Sequence, residues 1–248
     1  AEPSAATAAY YRDEAALLNA QGLVADGYDA LGGQQTFQGE LTLGYYSPDI
    51  KRMVVIGTEL TPATRVVLAH ELTHALQDQH FTLDLTDAGF NQRAIVEADA
   101  MRVEDAYRAT LPADEQAEAD VVLMGDEGTA AAADGIPWTV LDRMYAPYAL
   151  GPALVEQAFA DGGNAAVDRL IISPPTEEVL ANPWLAGDDG AAVDDDVTVG
   201  VEASEGDDLR PVGPLSYLTA VVMLDAWLPW TEARAALEGW EGGSIRAV

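Results

Sequence analysis

From Thr61 to Gln79 the chain has no glycine and a single proline, Pro62, at the start of the stretch. Thr61 suits an N-cap and Pro62 the first helical position, where the missing N–H has no intrahelical partner to lose. This predicts a helix from Pro62 to about Gln79. All three histidines of the chain, His70, His74 and His80, lie on this helix or at its end. A second predicted helix, roughly Asn91 to Thr110, follows a short loop around Asp84 to Gly89 and is closed by Leu111-Pro112. The two long helices and the segments around them form the frame of the molecule.

The segment His70-Glu71-Leu72-Thr73-His74 has the HExxH pattern. Residues four apart on a helix are separated by about 40° around its axis, so both imidazoles project from one face. Two nitrogens then reach one ion at about 2.0–2.1 Å without distorting the helix. Glu71 is offset by about 100° from His70, which sets its carboxylate beside the ion as a general base. Cysteine is absent, so any metal must be held by His and carboxylate, and disulfides are excluded. A catalytic zinc site needs a third protein ligand, and two residues compete for the role. His80 stands six residues after His74; if the helix runs on unbroken it lies about 240° around and faces away. Glu97, in Ala94-Ile95-Val96-Glu97-Ala98-Asp99-Ala100 on the next helix, is the preferred candidate.

The charge balance limits the partners. Twelve Lys and Arg stand against 42 Asp and Glu, for a formal net charge of -30, and Lys51 is the one lysine. Phosphate recognition needs clustered cations, so no nucleic-acid partner is expected. Anionic membrane surfaces would repel the chain, and no apolar run is long enough to insert. Carboxylates spread over every segment, with lysine nearly absent, resemble the surfaces of proteins from extreme halophiles, where concentrated salt screens the repulsion. The clusters Asp188-Asp189, Asp194 to Asp196 and Glu205 to Asp208 lack the spacing of an EF-hand and are read as a solvated surface rather than a calcium site. A first residue other than Met reads as either a processed terminus or a cut within a longer chain, and the first alternative implies an extracellular or cell-surface protein. Ser244 to Val248 reads as a strand cut short.

The 248 residues suit one domain, divisible into a metal-binding lobe, 1–112, and a mainly helical lobe, 113–248. The expected fold class is α+β, mainly α, with a small antiparallel sheet packed on the pair of site helices. Ser4 to Ala30 reads as helical. Glu40 to Tyr46 and Lys51 to Gly57 form a hairpin about Ser47-Pro48-Asp49, with Met53 to Gly57 as the edge strand beside the cleft. Ala113 to Gly135 reads as helical, as do Trp138 to Ala160 (broken near Pro147 and Gly151-Pro152), Asn164 to Ile171, a turn after Pro174-Pro175-Thr176-Glu177, Leu215 to Trp227, and Thr231 to Leu237. Asp196 to Glu202 reads as a strand in an acidic loop. Trp227, Trp230 and Trp240 read as core packing.

The hairpin, the HExxH helix and a Glu on the following helix resemble the gluzincins, the thermolysin-like clan of zinc metallopeptidases. Tyr45-Tyr46-Ser47-Pro48-Asp49, HELTHALQDQHF from His70 to Phe81 and VEADA from Val96 to Ala100 are similar to small prokaryotic gluzincin-like proteins. The similarity covers residues 40 to 110, with weaker echoes in Tyr148-Ala149-Leu150-Gly151, Gly162 to Leu170 and Pro174 to Pro183. It implies zinc on His70, His74 and Glu97, Glu71 as the base, and a peptide or protein substrate. There are departures. The position four after Glu97, where thermolysin-like enzymes often carry an Asp, is Met101, which leaves Asp99 or Glu104 to orient a zinc-bound histidine. No histidine follows His80, so stabilising the tetrahedral intermediate falls to a tyrosine or an arginine, with Tyr148 and Tyr107 as candidates. Arg93 and Arg102 flank Glu97, either for a substrate carboxylate or for pairing with neighbouring acids. The rival expectation is a non-catalytic zinc-binding surface or interaction protein on the same scaffold.

Overall fold

A computed structural model describes residues 5–20, 22–41, 43–48, 50–81, 83, 90–123, 135–186, 210–215, 217–237, 240 and 243–247. The chain enters through α1 (Ala5–Ala20). Helix was expected as far as Ala30, but Gly22 stops it at φ 74°, with Gly22 N–H bonded to Asn19 O and Leu23 N–H to Leu18 O. That left-handed cap is open to glycine at little cost and closes the last turn. A second helix, α2 (Ala30–Leu41), takes the start of the predicted first strand. Asp29 explains it: its carboxylate accepts from the Gly32 N–H at 2.9 Å, an N-cap strong enough to carry two glycines into a helix.

The hairpin is therefore shorter than its sequence suggests. Strands β1 (Gly44–Ser47) and β2 (Arg52–Val55) pair antiparallel, with Tyr46 opposite Met53. Helix α3 (Pro62–Phe81) follows, opened by Pro62 and by Thr61, whose hydroxyl accepts from the Thr64 N–H at 3.2 Å. Helix α4 (Phe90–Arg108) lies against α3 and α5 (Ala113–Leu123) against α3. Arg65 to Glu115 at 2.5 Å and Arg108 to Asp120 at 2.6 Å tie α5 to both.

Helices α6 (Trp138–Leu150), α7 (Pro152–Gly162), α8 (Asn164–Ile172) and α9 (Glu177–Ala181) then wrap α4. Pro147 is tolerated inside α6, and Thr176 caps α9 by accepting from the Val179 N–H. After a 3-10 turn (Pro183–Leu185) come β3 (Arg210–Leu215), α10 (Tyr217–Asp225), α11 (Trp230–Ala236) and β4 (Gly243–Ala247). β4 pairs antiparallel with β3, so the strand expected at the C-terminus finds a partner 28 to 37 residues upstream that sequence did not offer. The fold is mainly helical, α+β, with two two-stranded antiparallel sheets among the described residues. The strand expected at Asp196 to Glu202 and the acidic clusters from Asp188 to Asp208 lie outside those residues, as do residues 124–134 of the helix expected from Ala113 to Gly135. No described helix is long and apolar enough to cross a membrane.

Helix α4 is the axis of the core. Seven consecutive residues, Ala94 to Ala100, are buried, so this stretch is enclosed on every side rather than on one face. Ala94, Ile95, Val96 and Ala98 pack with Leu154, Val155, Val167, Ile171, Val179 and Leu180, and the cluster crosses residue 112 freely. Each fully buried Val, Leu or Ile there contributes about 1.5–3 kcal/mol. Two polar residues, Glu97 and Asp99, are held inside that enclosure, and they need partners. A separate cluster of Ala181, Tyr217, Ala220, Val221, Ala233 and Leu237, flanked by Trp230 and Trp240, holds the C-terminal helices. Trp227, by contrast, is exposed, against the expectation that it packs in the core.

Candidate metal centre

The partners of Glu97 are the two histidines. Unbroken helix from Pro62 to Phe81 puts His70 and His74 on one face, and α4 crosses that face at Glu97. Glu97 Oε2 lies 3.3 Å from Nε2 of His70 and 3.3 Å from Nε2 of His74, and the two Nε2 atoms are 3.0 Å apart. Ligand atoms at 2.0–2.1 Å from a zinc ion in tetrahedral array stand about 3.3–3.4 Å from one another. The triangle thus has nearly the dimensions of three corners of a zinc tetrahedron. His70, His74 and Glu97 are the group of three among the described residues able to hold a metal ion.

The atoms behind the rings decide which nitrogen is free. Nδ1 of His70 faces Glu104 Oε2 at 2.9 Å, and Nδ1 of His74 faces Gln77 Oε1 at 2.9 Å. Both neighbours are acceptors, so in the neutral imidazoles hydrogen belongs on Nδ1 and the Nε2 lone pairs point at the shared centre. Gln77 is itself fixed, its amide donating to Val96 O at 3.1 Å and to Asp99 Oδ2 at 3.0 Å. Of the two acids considered for orienting a histidine, Glu104 acts directly on His70, while Asp99 acts on His74 through Gln77. Asp99 is in turn paired with Arg102 at 2.8 Å.

Two bare nitrogens and a carboxylate oxygen so close together repel unless something positive lies between them. The titration behaviour of the site agrees. Burial pushes His70 down, but its hydrogen bonds to Glu104 and Glu97 outweigh burial and raise its pKa to about 10. Glu97 moves the other way: burial favours its neutral form, yet the histidines hold it well below the usual carboxylate range. The donor set of two nitrogens and one carboxylate oxygen is one that could hold a divalent metal ion.

Glu71 stands beside this centre. Its pKa is raised by burial, against the opposing charges of His74 and His70. Its Oε2 accepts from the Tyr46 N–H at 2.7 Å. The strand whose backbone reaches the site is therefore β1, not the return strand Met53 to Gly57 as expected. Leu43 O accepts from the Ile56 N–H, which, by antiparallel alternation, turns the N–H and C=O of Gly44 and Tyr46 away from β2. The Tyr46 ring runs on to Asp78, as a hydrogen bond of 2.6 Å.

Tyr148, on α6, also borders the centre. Burial, with the nearby charges of Glu97 and Glu71, pushes its hydroxyl up to about 12, and a hydrogen bond with Arg93 partly offsets this. Arg93 approaches Glu97 Oε1 at 3.8 Å, so both arginines flanking Glu97 lie near acids. Tyr107 is elsewhere: it packs beside Ala63, Val66, Leu111 and Ala119 and hydrogen-bonds Arg65. His80 is exposed on the last turn of α3, its ring against Phe81, and takes no part in the triangle. Sequence reasoning missed Gln77, Asp78 and Lys51. The signals were there (two polar residues mid-helix and one lysine in an acidic chain), but none names a partner. Comparison with protein-family models, with characterised proteins and with solved structures finds no match.

Proposed function

We propose that the chain is a zinc-dependent metallopeptidase in which His70, His74 and Glu97 hold the ion and Glu71 is the general base. The observation that carries this reading is the triangle of acceptors, 3.0 to 3.3 Å on a side, with both Nδ1 atoms already committed to oxygens. Zinc in that position would supply Lewis acidity and lower the pKa of a water to about 7. Glu71 takes a proton from the attacking water, whose oxygen adds to the scissile carbonyl carbon. The same carboxylate then gives that proton to the amine nitrogen as the C–N bond breaks. A half-buried Glu with a raised pKa suits both halves of this shuttle. The Tyr148 hydroxyl, kept protonated, is the candidate donor to the oxyanion. Apart from the Tyr46 N–H, which Glu71 takes, the outward backbone groups of β1 offer an extended peptide a strand to pair with.

The reading is tested with the intact chain and Glu71→Gln, measuring zinc by mass spectrometry and hydrolysis of a peptide library in high salt. Glu71→Gln is expected to keep about one zinc per chain and to lose about 10²–10⁴ in kcat. Chelation is expected to abolish turnover of the intact chain. Hydrolysis that survives either treatment overturns the mechanism. Zinc bound without hydrolysis by the intact chain would instead favour a non-catalytic zinc-binding protein.

A further inference from the structure

We infer that Lys51, Asp78 and Tyr46 form a positioning network that locks strand β1 onto α3 and so sets the carboxylate of Glu71. Its effect on turnover rests on the metallopeptidase reading; its effect on the strand does not. Lys51 is the chain's one lysine, among 42 acids, and it sits in the turn of the hairpin at φ 49°. A non-glycine residue held there is strained, and such strain persists where the side chain is needed. Its Nζ lies 2.6 Å from Asp78 Oδ2, an oxygen that also accepts from the Tyr46 hydroxyl at 2.6 Å. The Asp78 side chain is 1% exposed, so without these partners it would be a buried, uncompensated charge. Burial alone would raise the pKa of Asp78, but the hydrogen bonds from Lys51 and Tyr46 hold it below its ordinary value.

Asp78 and Glu71 are seven residues apart, two turns along one face of α3. Tyr46 spans that distance: its main-chain N–H holds Glu71 at 2.7 Å while its hydroxyl reaches Asp78. The tyrosine is anchored at both ends, and Lys51 secures the far anchor. Loosening the hydroxyl end lets β1 drift from the helix, and the N–H that orients Glu71 drifts with it.

The test measures amide hydrogen exchange by NMR on the intact chain and on Glu71→Ala, Tyr46→Phe, Lys51→Met and Lys51→Arg, alongside zinc content and peptide hydrolysis. Tyr46→Phe and Lys51→Met are expected to speed exchange of the residue-46 amide by about tenfold or more, leaving the amides of Ala94 to Ala100 unchanged. Glu71→Ala is expected to speed the same amide, since it removes the acceptor. Zinc content should hold while kcat falls by about tenfold or more at constant KM, and Lys51→Arg should restore both readouts. An unchanged residue-46 amide in Tyr46→Phe and Lys51→Met overturns the network. So does a uniform rise in exchange across the molecule, which marks a general loss of stability. Should the intact chain prove inactive while the residue-46 amide responds as described, the network stands and the peptidase reading fails.

Discussion

Glu104 holds Nδ1 of His70 at 2.9 Å from the neighbouring helix, with 27% of its side chain exposed. An acceptor in that place fixes the tautomer and makes the free nitrogen a better ligand. Because Glu104 is not in the core, truncating it should leave the fold intact. Glu104→Ala is expected to weaken zinc binding by about 10–100-fold, and Glu104→Gln, which keeps an acceptor, by less. Competition with a chromophoric chelator reads both. Equal affinity in all three proteins would mean that the contact does not act on the metal site. His74 is served differently on its Nδ1 side, by a neutral amide that Asp99 holds in place, so on that side charge reaches the ring only at one remove. The pattern of acids around the two imidazoles is asymmetric for that reason.

Helix α4 places Glu97 by being wedged, and Gly151 is the wedge. It sits at the junction of α6 and α7, where an added Cβ would lie 2.1 Å from Ala94 O and 2.8 Å from the Ala98 Cβ. Those two residues flank Glu97 on the same helix. No rotamer relieves a methyl group pressed into backbone, so α7 or α4 must shift. Gly151→Ala is expected to cost about 1–3 kcal/mol, lowering Tm by roughly 2–12 °C, and to weaken zinc binding by moving Glu97 off the imidazoles. Thermal melting and zinc titration check this; a variant with unchanged Tm would show that the junction has slack. The hairpin depends on α3 in a comparable way, through one tyrosine anchored at two points.

Across the whole molecule, a net charge of -30 on 248 residues opposes compaction. The few cations on view are spent locally: Arg65 and Arg108 on α5, Arg102 on Asp99, Lys51 on Asp78. The remaining carboxylates repel one another, and at 1 M salt the Debye length falls to about 3 Å. Screening a few kcal/mol of repulsion is expected to raise Tm by on the order of 10 °C between 0.1 and 3 M NaCl, since each kcal/mol is worth about 2–4 °C in a chain of this size. Melting curves in NaCl against equal osmolality of sucrose separate screening from solute exclusion. A Tm that ignores salt would mean the repulsion is already compensated.

Sequence by itself determined what is local. The run without breakers from Pro62, the four-residue spacing of His70 and His74, and the Thr61-Pro62 start all concern residues within a few turns of one another, and helical geometry alone fixes their relation. Glu97 was legible as a candidate because zinc needs a third ligand and the next helix carried an acid at a plausible place. Tertiary structure set Glu97 rather than His80 beside the two imidazoles, brought Tyr148 near them from α6, and gave Asp99 its link to His74 through Gln77. It also decided the hidden partners: Asp78 with Tyr46 and Lys51, and β3 with β4. Those pairings join residues distant in the chain. Which ones meet depends on how the helices pack around α4, because the core fixes relative positions that no local propensity encodes.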